Sequence, residues 1–386
     1  MLFSAAKSYF EVRTISAYLF VCIQKDCAFG YQTEYLYISF FVNGFVKKST
    51  VFLVLIVLFL IITVLFAVIY VMQTKTPQDK SAIVTSENCG NLAVYVLNVS
   101  QADSIFIITP ANKTILIDAG SKSTKNSAEQ VVAFLKQNNI SKIDHVIATH
   151  CHEDHIGGME LIFANFEVEN VYENGNCGSY DSKTAKRFWA YRSIENFITV
   201  KQDMQLDLDN CLSEAMAIVA YDNKNGSWPG HEENDNSILL RLVYANTTFL
   251  FTGDCEKECE EALLAQNTNL KADFLKIGHH GSATSSTEPF LDAVDATYFA
   301  ISVDHKKSAS DGYFHPRLST LEKLYERADN SVFRTDLNGE IKAISNGKAI
   351  IVVPETKVGE CESFAGYPSW PTAEYSVVPV LKSQCS

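Results

Sequence analysis

Ala148–Met159 reads ATHCHEDHIGGM, and four of its side chains are of the types that bind metal ions. An apolar run typical of a buried strand (IDHVI) precedes it, and a helix-like segment (GMELIFANF) overlaps its end. Imidazole and carboxylate groups are the ligands that a borderline-soft divalent cation prefers, and His-x-His spacing lets two imidazoles on one loop converge on one ion. The stretch therefore predicts a metal site at the end of a strand, with the candidate ligands His150, His152, Asp154 and His155.

Short β-branched runs, separated by polar or proline-containing turns, surround this stretch on both sides. Before it come LAVYVLNV, SIFIITP and TILIDAG, and after it come SILLRLVY, TTFLFTGD and DFLKIGHHGS. The segments SAEQVVAFLKQNN and KECEEALLAQ have apolar residues at helical spacing. Alternating strands and helices with this much strand content predict an α/β fold of layered sheets flanked by helices.

The sequence THCHEDHIGG resembles the HxHxDH motif of the metallo-β-lactamase superfamily. Further segments resemble, in the correct order, signatures of the branch that contains the competence protein ComEC and bacterial phosphorylcholine esterases: LNVSQADSIFIITPANKTILIDAG, NDNSILLRLVYANTTFLFTGD, ADFLKIGHHGSATSS and YFHP. The resemblance covers about residues 91–328. It implies an αββα four-layer sandwich with metal ions at one edge, between the two sheets.

The resemblance also implies a centre of two divalent ions, which we expect to be Zn²⁺, although another divalent metal would suit the same ligands. Asp254, in FTGD, matches the carboxylate that bridges both ions, and it could also cap the helix that follows. One histidine of HHGS should complete the second ion, and His280 is favoured over His279. The implied ligands are His150 and His152 for the first ion, and Asp154, His155 and His280 for the second.

The third ligand of the first ion is where the sequence departs most from the family pattern. His231 is the only histidine between the HxHxDH cluster and the bridging carboxylate, so it is the candidate ligand, or else an exposed loop residue. If His231 is not a ligand, the first ion is under-coordinated, or water or Asn236 takes the position. Cys151, inside the cluster, is expected to be a free thiol that faces away from the ions. Asp103 and Asp118 match acidic positions of the family pattern, and we expect them to support the site rather than act in catalysis.

Two cations on either side of one position lower the pKa of bound water from 15.7 towards roughly 7 and stabilise negative charge on the attacked centre. Such a site can hydrolyse esters, lactams or phosphodiesters. The neighbouring residues favour phosphorus, because the serines of HHGSATSS supply hydrogen-bond donors, unless they cap the next helix. His315, before a proline, could hold a phosphoryl oxygen or protonate the leaving group. Catalytic roles are therefore expected for Asp154 and His315.

The favoured function is a membrane-anchored dinuclear phosphodiesterase that uses a metal-bridging hydroxide on a small or lipid-linked phosphoester, such as a phosphorylcholine-type group. Two alternatives stay open: a nuclease similar to ComEC, and a catalytically inactive metal-binding ectodomain with a binding role. The formal net charge is −13, and residues 73–386 hold 27 basic against 42 acidic groups. This charge repels phosphate polymers and makes nucleic acid an unfavourable partner unless the fold contains a basic groove.

Val51–Met72 (VFLVLIVLFLIITVLFAVIYVM) contains no charged residue, glycine or proline. At about 1.5 Å per residue, a helix of this length spans roughly 33 Å, enough for the ~30 Å hydrocarbon layer of a membrane. The run predicts a single transmembrane helix and begins too late for a cleaved signal peptide. Nearby lysines almost balance across it, so the positive-inside rule sets the orientation only weakly. Eight cysteines and five Asn-x-Ser/Thr sequons after the run favour an extracellular or luminal C-terminal domain, while the cysteine pairing cannot be read from sequence.

These observations divide the chain into five expected segments. The first is aromatic-rich and has no assigned role, and the last contains proline and cysteine and is expected to be irregular. The segments are the N-terminal region 1–50, the transmembrane helix 51–72, a linker 73–90, the metallo-β-lactamase-like hydrolase domain 91–353 and the tail 354–386.

Overall fold

The computed structural model describes residues 19–26, 33–40, 63, 89–124, 126–193, 195–221, 232–328 and 331–356. The chain divides into two compact units, Met1–Lys80 and Ser81–Ser386. In the first unit, β1 (Leu19–Asp26) and β2 (Thr33–Phe40) pair in antiparallel orientation.

Some of the predicted features lie outside the described residues. They include His231, the run Val51–Met72 apart from Thr63, and all but the first residues of the expected tail. Among the helices that the structure describes, none combines the length and the apolar character needed to cross a bilayer.

The strands of the second unit form two sheets within the described residues. They are β3 (Leu92–Val96), β4 (Ile105–Ile108), β5 (Thr114–Ile117), β6 (Lys142–Ile147), β7 (Glu167–Glu173), β8 (Phe197–Thr199), β9 (Met204–Gln205), β10 (Glu214–Ile218), β11 (Leu239–Tyr244), β12 (Thr247–Phe251), β13 (Phe274–Lys276), β14 (Tyr298–Ile301), β15 (Val332–Arg334), β16 (Ile341–Ser345) and β17 (Ile350–Pro354).

The first sheet has the strand order β17-β16-β3-β4-β5-β6-β7-β8, and the second has the order β15-β14-β13-β12-β11-β10-β9. In the first sheet the pairing is antiparallel from β17 to β5 and parallel from β5 to β8. In the second sheet it is parallel from β15 to β12 and antiparallel from β12 to β9. Strands β4 and β5 are almost continuously apolar because both faces of the sheet are covered there.

Helices flank the two sheets. They are α1 (Ser127–Gln137), α2 (Glu153–Ile156), α3 (Met159–Asn165), α4 (Lys183–Ala190), α5 (Lys257–Ala265), α6 (Glu288–Val294), α7 (His305–Ser310), α8 (Leu318–Arg327) and α9 (Thr335–Asn338), with 3₁₀ turns at Tyr191–Ser193, Glu233–Asn236 and His279–Gly281.

The buried apolar side chains of the second unit separate into three layers of core. One lies between the sheets, where Val94 of the first sheet and Phe274 of the second belong to the same cluster. A second joins the second sheet to α5, α6 and α8, and a third joins the first sheet to α1, α3 and α4. The layers therefore run helix, sheet, sheet, helix, and the predicted α/β fold with two sheets and flanking helices is confirmed.

The segments predicted to carry the site follow the carboxyl ends of neighbouring strands. His150 follows β6, Asp254 follows β12 and His280 follows β13. Because β12 and β13 are parallel, their carboxyl ends meet at one edge of the second sheet. At this edge the Nζ atom of Lys276, the last residue of β13, lies 2.7 Å from Oδ2 of Asp103, which precedes β4. This buried ion pair joins the two sheets beside the predicted site.

The expectation that Cys151 is a free thiol is wrong, because Cys151 forms a disulfide with Cys177. The parallel pairing of β6 with β7 places the loops that follow these strands side by side, and each loop carries one of the two cysteines. The disulfides within the described residues are Cys89–Cys211, Cys151–Cys177 and Cys255–Cys259.

Candidate metal centre

Asp154, His155, Asp254 and His280, which we call the four-donor group, each offer a ligand atom within 4.8 Å of the others. His155 Nε2 lies 3.1 Å from Asp254 Oδ2. His280 Nε2 lies 3.2 Å from Asp154 Oδ2 and 3.7 Å from Asp254 Oδ2. Three of the residues are buried, whereas the side chain of Asp154 is 34% exposed. Oxygen and nitrogen donors from three separate segments of the chain therefore face one point.

His150 and His152 form a second group beside the first, which we call the two-histidine group. His150 Nε2 lies 3.1 Å from His152 Nδ1 and 3.9 Å from Asp254 Oδ2. Asp254 Oδ2 thus lies next to donors of both groups, as expected for a bridging carboxylate. The other oxygen, Asp254 Oδ1, is buried and has no hydrogen-bond partner among the described residues. Since buried carboxylate oxygens are rarely left without a partner, this orphan and the donor set around it fit a bound cation.

The loop that carries the histidines owes its path to the Gly157-Gly158 pair. A Cβ atom on Gly158 would lie 2.0 Å from the carbonyl oxygen of Ala119, so only glycine lets the loop pack against the segment after β5. Backbone hydrogen bonds from Ala119 N to His155 O (2.8 Å) and from Gly158 N to Gly120 O (3.0 Å) hold this packing. The contact fixes α2, and with it the donors that α2 carries, at the edge of the first sheet.

The HHGS loop has an unusual backbone. His279 (φ 44°), His280 (φ 52°) and Gly281 (φ 81°) all adopt left-handed conformations, which are costly for residues with a Cβ atom and are often found at functional sites. A Cβ atom on Gly281 would lie 2.6 Å from Cβ of Pro316. The absence of a side chain at Gly281 therefore lets the His315-Pro316 segment approach, and the His315 ring centroid lies 5.0 Å from that of His279 and 6.3 Å from that of His280.

Two histidines of the four-donor group are oriented through their Nδ1 atoms. His155 Nδ1 lies 2.7 Å from Asp118 Oδ2, and His280 Nδ1 lies 2.9 Å from the carbonyl oxygen of Ser302. A carbonyl oxygen only accepts hydrogen bonds, so His280 donates from Nδ1, which leaves Nε2 as a ligand atom. Asp118 also accepts hydrogen bonds from Thr149 N (2.9 Å) and Oγ1 (2.7 Å). The expectation that Asp118 supports the site agrees with these contacts.

His279 and His280 occupy different places in the structure. His279 Nδ1 lies 2.5 Å from Glu256 Oε1, and its Nε2 lies 3.9 Å from Asp254 Oδ2. His279 is thus held by Glu256 at the margin of the centre, whereas His280 contacts both carboxylates of the four-donor group. The geometry favours His280 over His279 as a ligand, and this assignment stays a prediction.

Burial and charge act against each other on the carboxylates and histidines of the centre. Burial raises the pKa of Asp254, but His155 and His280 outweigh it and hold this pKa well below its usual range. Burial lowers the pKa of His280, but Asp254, Asp154 and Asp103 together outweigh it and raise this pKa to about 9. Burial lowers the pKa of His315 to about 3, and His280 acts in the same direction. At neutral pH the centre therefore presents an ionised Asp254 carboxylate beside an uncharged His315.

His315 is buried, and its Nδ1 atom has no hydrogen-bond partner within the described part of the chain. Its backbone is held on both sides, since His315 N donates to Ser308 Oγ (2.7 Å) and His305 Nδ1 lies 3.0 Å from His315 O. The peptide bond to Pro316 is cis. The side chain is therefore held beside the HHGS loop with one nitrogen unused, and its catalytic role stays a prediction.

His231 and Asn236 are the candidate side chains for the third ligand of the first ion. His231 lies outside the described residues, whereas Asn236 is buried at the end of a 3₁₀ turn. Asn236 Oδ1 has no hydrogen-bond partner among the residues that the structure describes. The next residue, Ser237, places Oγ 3.4 Å from His150 Nδ1. This segment therefore reaches the two-histidine group, and Asn236 is the candidate third ligand on the described chain.

Lys276 and Glu233 also contact the centre and were not predicted. Lys276 is fully buried and donates to Asp103, which in turn places Oδ1 3.7 Å from His280 Nδ1. Its signal in the sequence is a lysine inside an apolar strand, where burial requires an anionic partner. Glu233 Oε1 accepts a hydrogen bond from the backbone N–H of Cys151 (2.8 Å), between the two histidines of the two-histidine group. No feature of the sequence around Glu233 indicates that contact.

The serines after HHGS bond within their own region. Ser285 Oγ donates to the carbonyl oxygen of Gly278 (2.8 Å). The backbone N–H groups of Ser286 (2.6 Å) and Thr287 (2.8 Å) donate to the carboxylate of Glu260 on α5. These bonds tie the segment that precedes α6 to α5, and the side chain of Thr287, the residue before α6, makes no capping hydrogen bond.

Residues 97–305, more than half of the chain, match the family model of the metallo-beta-lactamase superfamily. The chain belongs to this superfamily. The resemblance stated from the HxHxDH motif is therefore confirmed. Members of the superfamily bind divalent metals, usually zinc, and the four-donor group is a candidate site for such an ion in this chain.

Curated relatives include competence proteins. The chain is 29% identical over 267 residues to ComE operon protein 3 of Bacillus subtilis (strain 168), covering 64% of this chain and 32% of that protein. It is 26% identical over 255 residues to Competence protein ComA of Neisseria gonorrhoeae, covering 65% and 32%. The matches thus span about a third of the length of these relatives. A solved diphosphatase from the PhnP family covers 66% of this chain and 98% of its own, with 13% identity and a TM-score of 0.38.

Proposed function

We propose that the second unit is a phosphodiesterase that depends on two divalent ions, for which Zn²⁺ is the expected metal. The observation that carries the proposal is the position of Asp254, whose Oδ2 lies 3.1 Å from His155 Nε2 and 3.9 Å from His150 Nε2. Bound at these donors, two cations would lower the pKa of water towards roughly 7 and offset negative charge on the attacked phosphorus.

The surrounding residues are suited to the remaining tasks. Asp154 is the most exposed member of the four-donor group, so it faces the side from which substrate and water approach. We expect it to be a ligand and to orient the attacking water. His315 is uncharged at neutral pH, so its N–H can donate a hydrogen bond to a phosphoryl oxygen, whereas protonation of the leaving group would require the imidazolium form.

The charge of the chain supports a small or lipid-linked phosphoester as substrate rather than a nucleic acid, since residues 73–386 hold 42 acidic and 27 basic groups. The competence proteins among the relatives favour the second candidate, a nuclease similar to ComEC. A metal-binding ectodomain without activity is the third candidate.

Membrane anchoring through Val51–Met72 is part of the proposal, with the second unit on the extracellular or luminal side. The described disulfides support this side, because such bonds persist mainly in oxidising compartments. Full-length protein should stay in the pellet after carbonate extraction, and deletion of Val51–Met72 should release it. In sealed membranes the second unit should be protected from protease on the cytosolic face, and digestion from that face would overturn the orientation.

The test of the activity uses full-length protein, metal analysis and a panel of bis(p-nitrophenyl) phosphate, a lactone and DNA. Asp254→Ala should lose metal and lower kcat/KM for the phosphodiester by at least about 100-fold, because one side chain serves both groups. The matched control is Asp144→Ala, which removes a buried aspartate at the opposite end of β6, where it accepts a hydrogen bond from Thr114 N (2.9 Å). We expect this control to lose stability but to keep its metal and its activity.

The outcomes separate the candidates. Faster cleavage of DNA than of the small phosphodiester would establish the nuclease. Metal-loaded wild-type protein that cleaves nothing in the panel would leave only the binding role. Unchanged activity in Asp254→Ala or after chelation would overturn the metal-dependent mechanism.

A further inference from the structure

Two disulfides lie directly beside the candidate metal ligands. Cys151 stands between His150 and His152, and Cys255 follows Asp254. We propose that Cys151–Cys177 and Cys255–Cys259 are positioning elements of the metal centre, so that their loss weakens metal binding more than it weakens the fold. This inference rests on the metal centre of the proposed function, and it adds residues to that centre that touch no ion themselves.

The first disulfide holds the loop of the two-histidine group from one side while a carboxylate holds it from the other. Cys151 and Cys177 are both buried, so the bond lies inside the protein rather than on its surface. The backbone N–H of Cys151 donates to Glu233 Oε1 (2.8 Å), and the side chain of Asn176, next to Cys177, donates to Glu233 Oε2. The disulfide and Glu233 therefore close a ring of contacts around the residue that separates the two histidines.

The second disulfide fixes the backbone after the bridging carboxylate. Cys255 N donates to Thr252 O (3.1 Å), and Cys259, on α5, bonds to Cys255 through its sulfur. Asp235 Oδ1 accepts the N–H of Cys259 at 3.1 Å, which ties α5 to the 3₁₀ turn that ends at the candidate ligand Asn236. Rotation of the segment that carries Asp254 is thus opposed on both sides of the carboxylate.

The sequence separations of these disulfides argue against a purely global role. In the chain-entropy account, a disulfide restricts the unfolded chain more when it closes a longer loop. Cys255–Cys259 spans 4 residues and Cys151–Cys177 spans 26, whereas Cys89–Cys211 spans 122. The two bonds beside the ligands are therefore the least effective of the described disulfides in stabilising the fold, and their value is local.

Cys89–Cys211 supplies a matched control. Cys89 precedes β3, and the far end of that strand, Val96, pairs with Ile105 on the side of the metal centre. Cys211 precedes β10, whose first residue pairs with Val243 at the end of β11 remote from the site. This disulfide joins the edges opposite to the centre, so its removal changes stability without touching the ligands.

The experiment compares full-length C151S/C177S, C255S/C259S and C89S/C211S with the wild type. Zn²⁺ affinity is measured by competition with a chromophoric chelator, the ligand geometry by the visible spectrum of the Co²⁺-loaded protein, and stability by the thermal midpoint of the metal-free protein. The two variants beside the ligands should bind Zn²⁺ about 10-fold or more weakly, as when supporting partners of metal ligands are lost, and should change the Co²⁺ spectrum. C89S/C211S should show the largest fall in thermal midpoint with Zn²⁺ affinity within about twofold of the wild type.

Wild-type affinity and spectrum in folded C151S/C177S and C255S/C259S would overturn the inference, and so would an equal loss of affinity in all three variants. If C151S/C177S does not fold, C255S/C259S decides, because its short loop contributes least to the fold. A wild type that binds neither Zn²⁺ nor Co²⁺ would instead overturn the proposed metal centre, so failure of the two proposals is distinguishable.

Discussion

The four-donor group and the two-histidine group share Asp254 but are built in different ways. The first draws its donors from α2, from the loop after β12 and from the loop after β13. Its two histidines are oriented by Asp118 and by a backbone carbonyl oxygen. The second comes from one short loop, and its third donor is predicted to be His231, Asn236 or water. The comparison teaches that one ion would be held by the tertiary fold and the other mainly by a local motif. We therefore expect two classes of metal binding, with the tighter ion in the four-donor group.

The largest effect should come from the histidine pair of the HHGS loop. His280→Ala should lower the affinity for the more tightly bound ion by at least about 100-fold. A direct ligand contributes more to this affinity than its supporting partners, which contribute about 10- to 100-fold. The matched control is His279→Ala, whose Nε2 lies 3.9 Å from Asp254 Oδ2 and whose Nδ1 is held by Glu256. We expect this variant to lower the affinity for the more tightly bound ion by less than about 10-fold. Zinc stoichiometry and chelator competition measure both, and the reverse ranking would exchange the roles of the two histidines.

Part of the candidate site can be predicted from the sequence because some of its contacts are local. The HxHxDH donors stand within one loop, so their proximity is a local property that spacing reveals. The choice between His279 and His280 is not local, because it depends on a left-handed backbone and on Ser302, which comes from β14's end. The sequence around the two neighbouring histidines does not show which of them meets a carbonyl oxygen from a distant segment.

The contacts that the sequence could not supply join residues far apart in the chain. Asp103 and Lys276 are separated by 173 positions, and only the packing of two sheets brings them together. The pairing of Cys151 depends on the neighbouring position of β6 and β7, which no spacing in the sequence encodes. His231 falls outside the described residues, so its role stays a prediction.

A smaller effect should identify the third ligand of the first ion. His231→Ala and Asn236→Ala are compared for the weaker class of metal binding, and we expect only one of them to reduce its affinity, by about 10-fold or more. The other should leave both classes unchanged. If both variants bind both ions as the wild type does, water completes the first ion and the two-histidine group depends on no further side chain.

The smallest effect on the centre concerns Glu260, which accepts N–H groups after the HHGS loop. Burial raises its pKa from 4.5 to about 7. Because the folded pKa is above the unfolded one, its contribution to stability is complete below about pH 4.5 and is lost as the pH rises through 7. Between pH 5 and pH 6 the wild type should lose about 1 kcal/mol more of its unfolding free energy than Glu260→Gln does, with metal affinity unchanged.

Urea unfolding of both proteins in a chelating buffer measures this difference. Parallel pH profiles for the wild type and Glu260→Gln would show that Glu260 does not titrate in this range. A change in metal affinity would show that the hydrogen bonds of Glu260 to Ser286 and Thr287 influence the four-donor group.

The ion pair between Lys276 and Asp103 has a consequence for how a substrate arrives. Both side chains are almost completely buried; Lys276 ends β13 of the second sheet, and Asp103 lies in the loop before β4 of the first sheet. Separation of the sheets at this edge would leave two opposite charges unpaired in an apolar interior, at a cost of several kcal/mol. The two sheets are therefore held together at this edge, beside the candidate metal ligands. Asp154 is the most exposed residue of the four-donor group, so we expect substrate to approach from its side and selectivity to depend on the loops there.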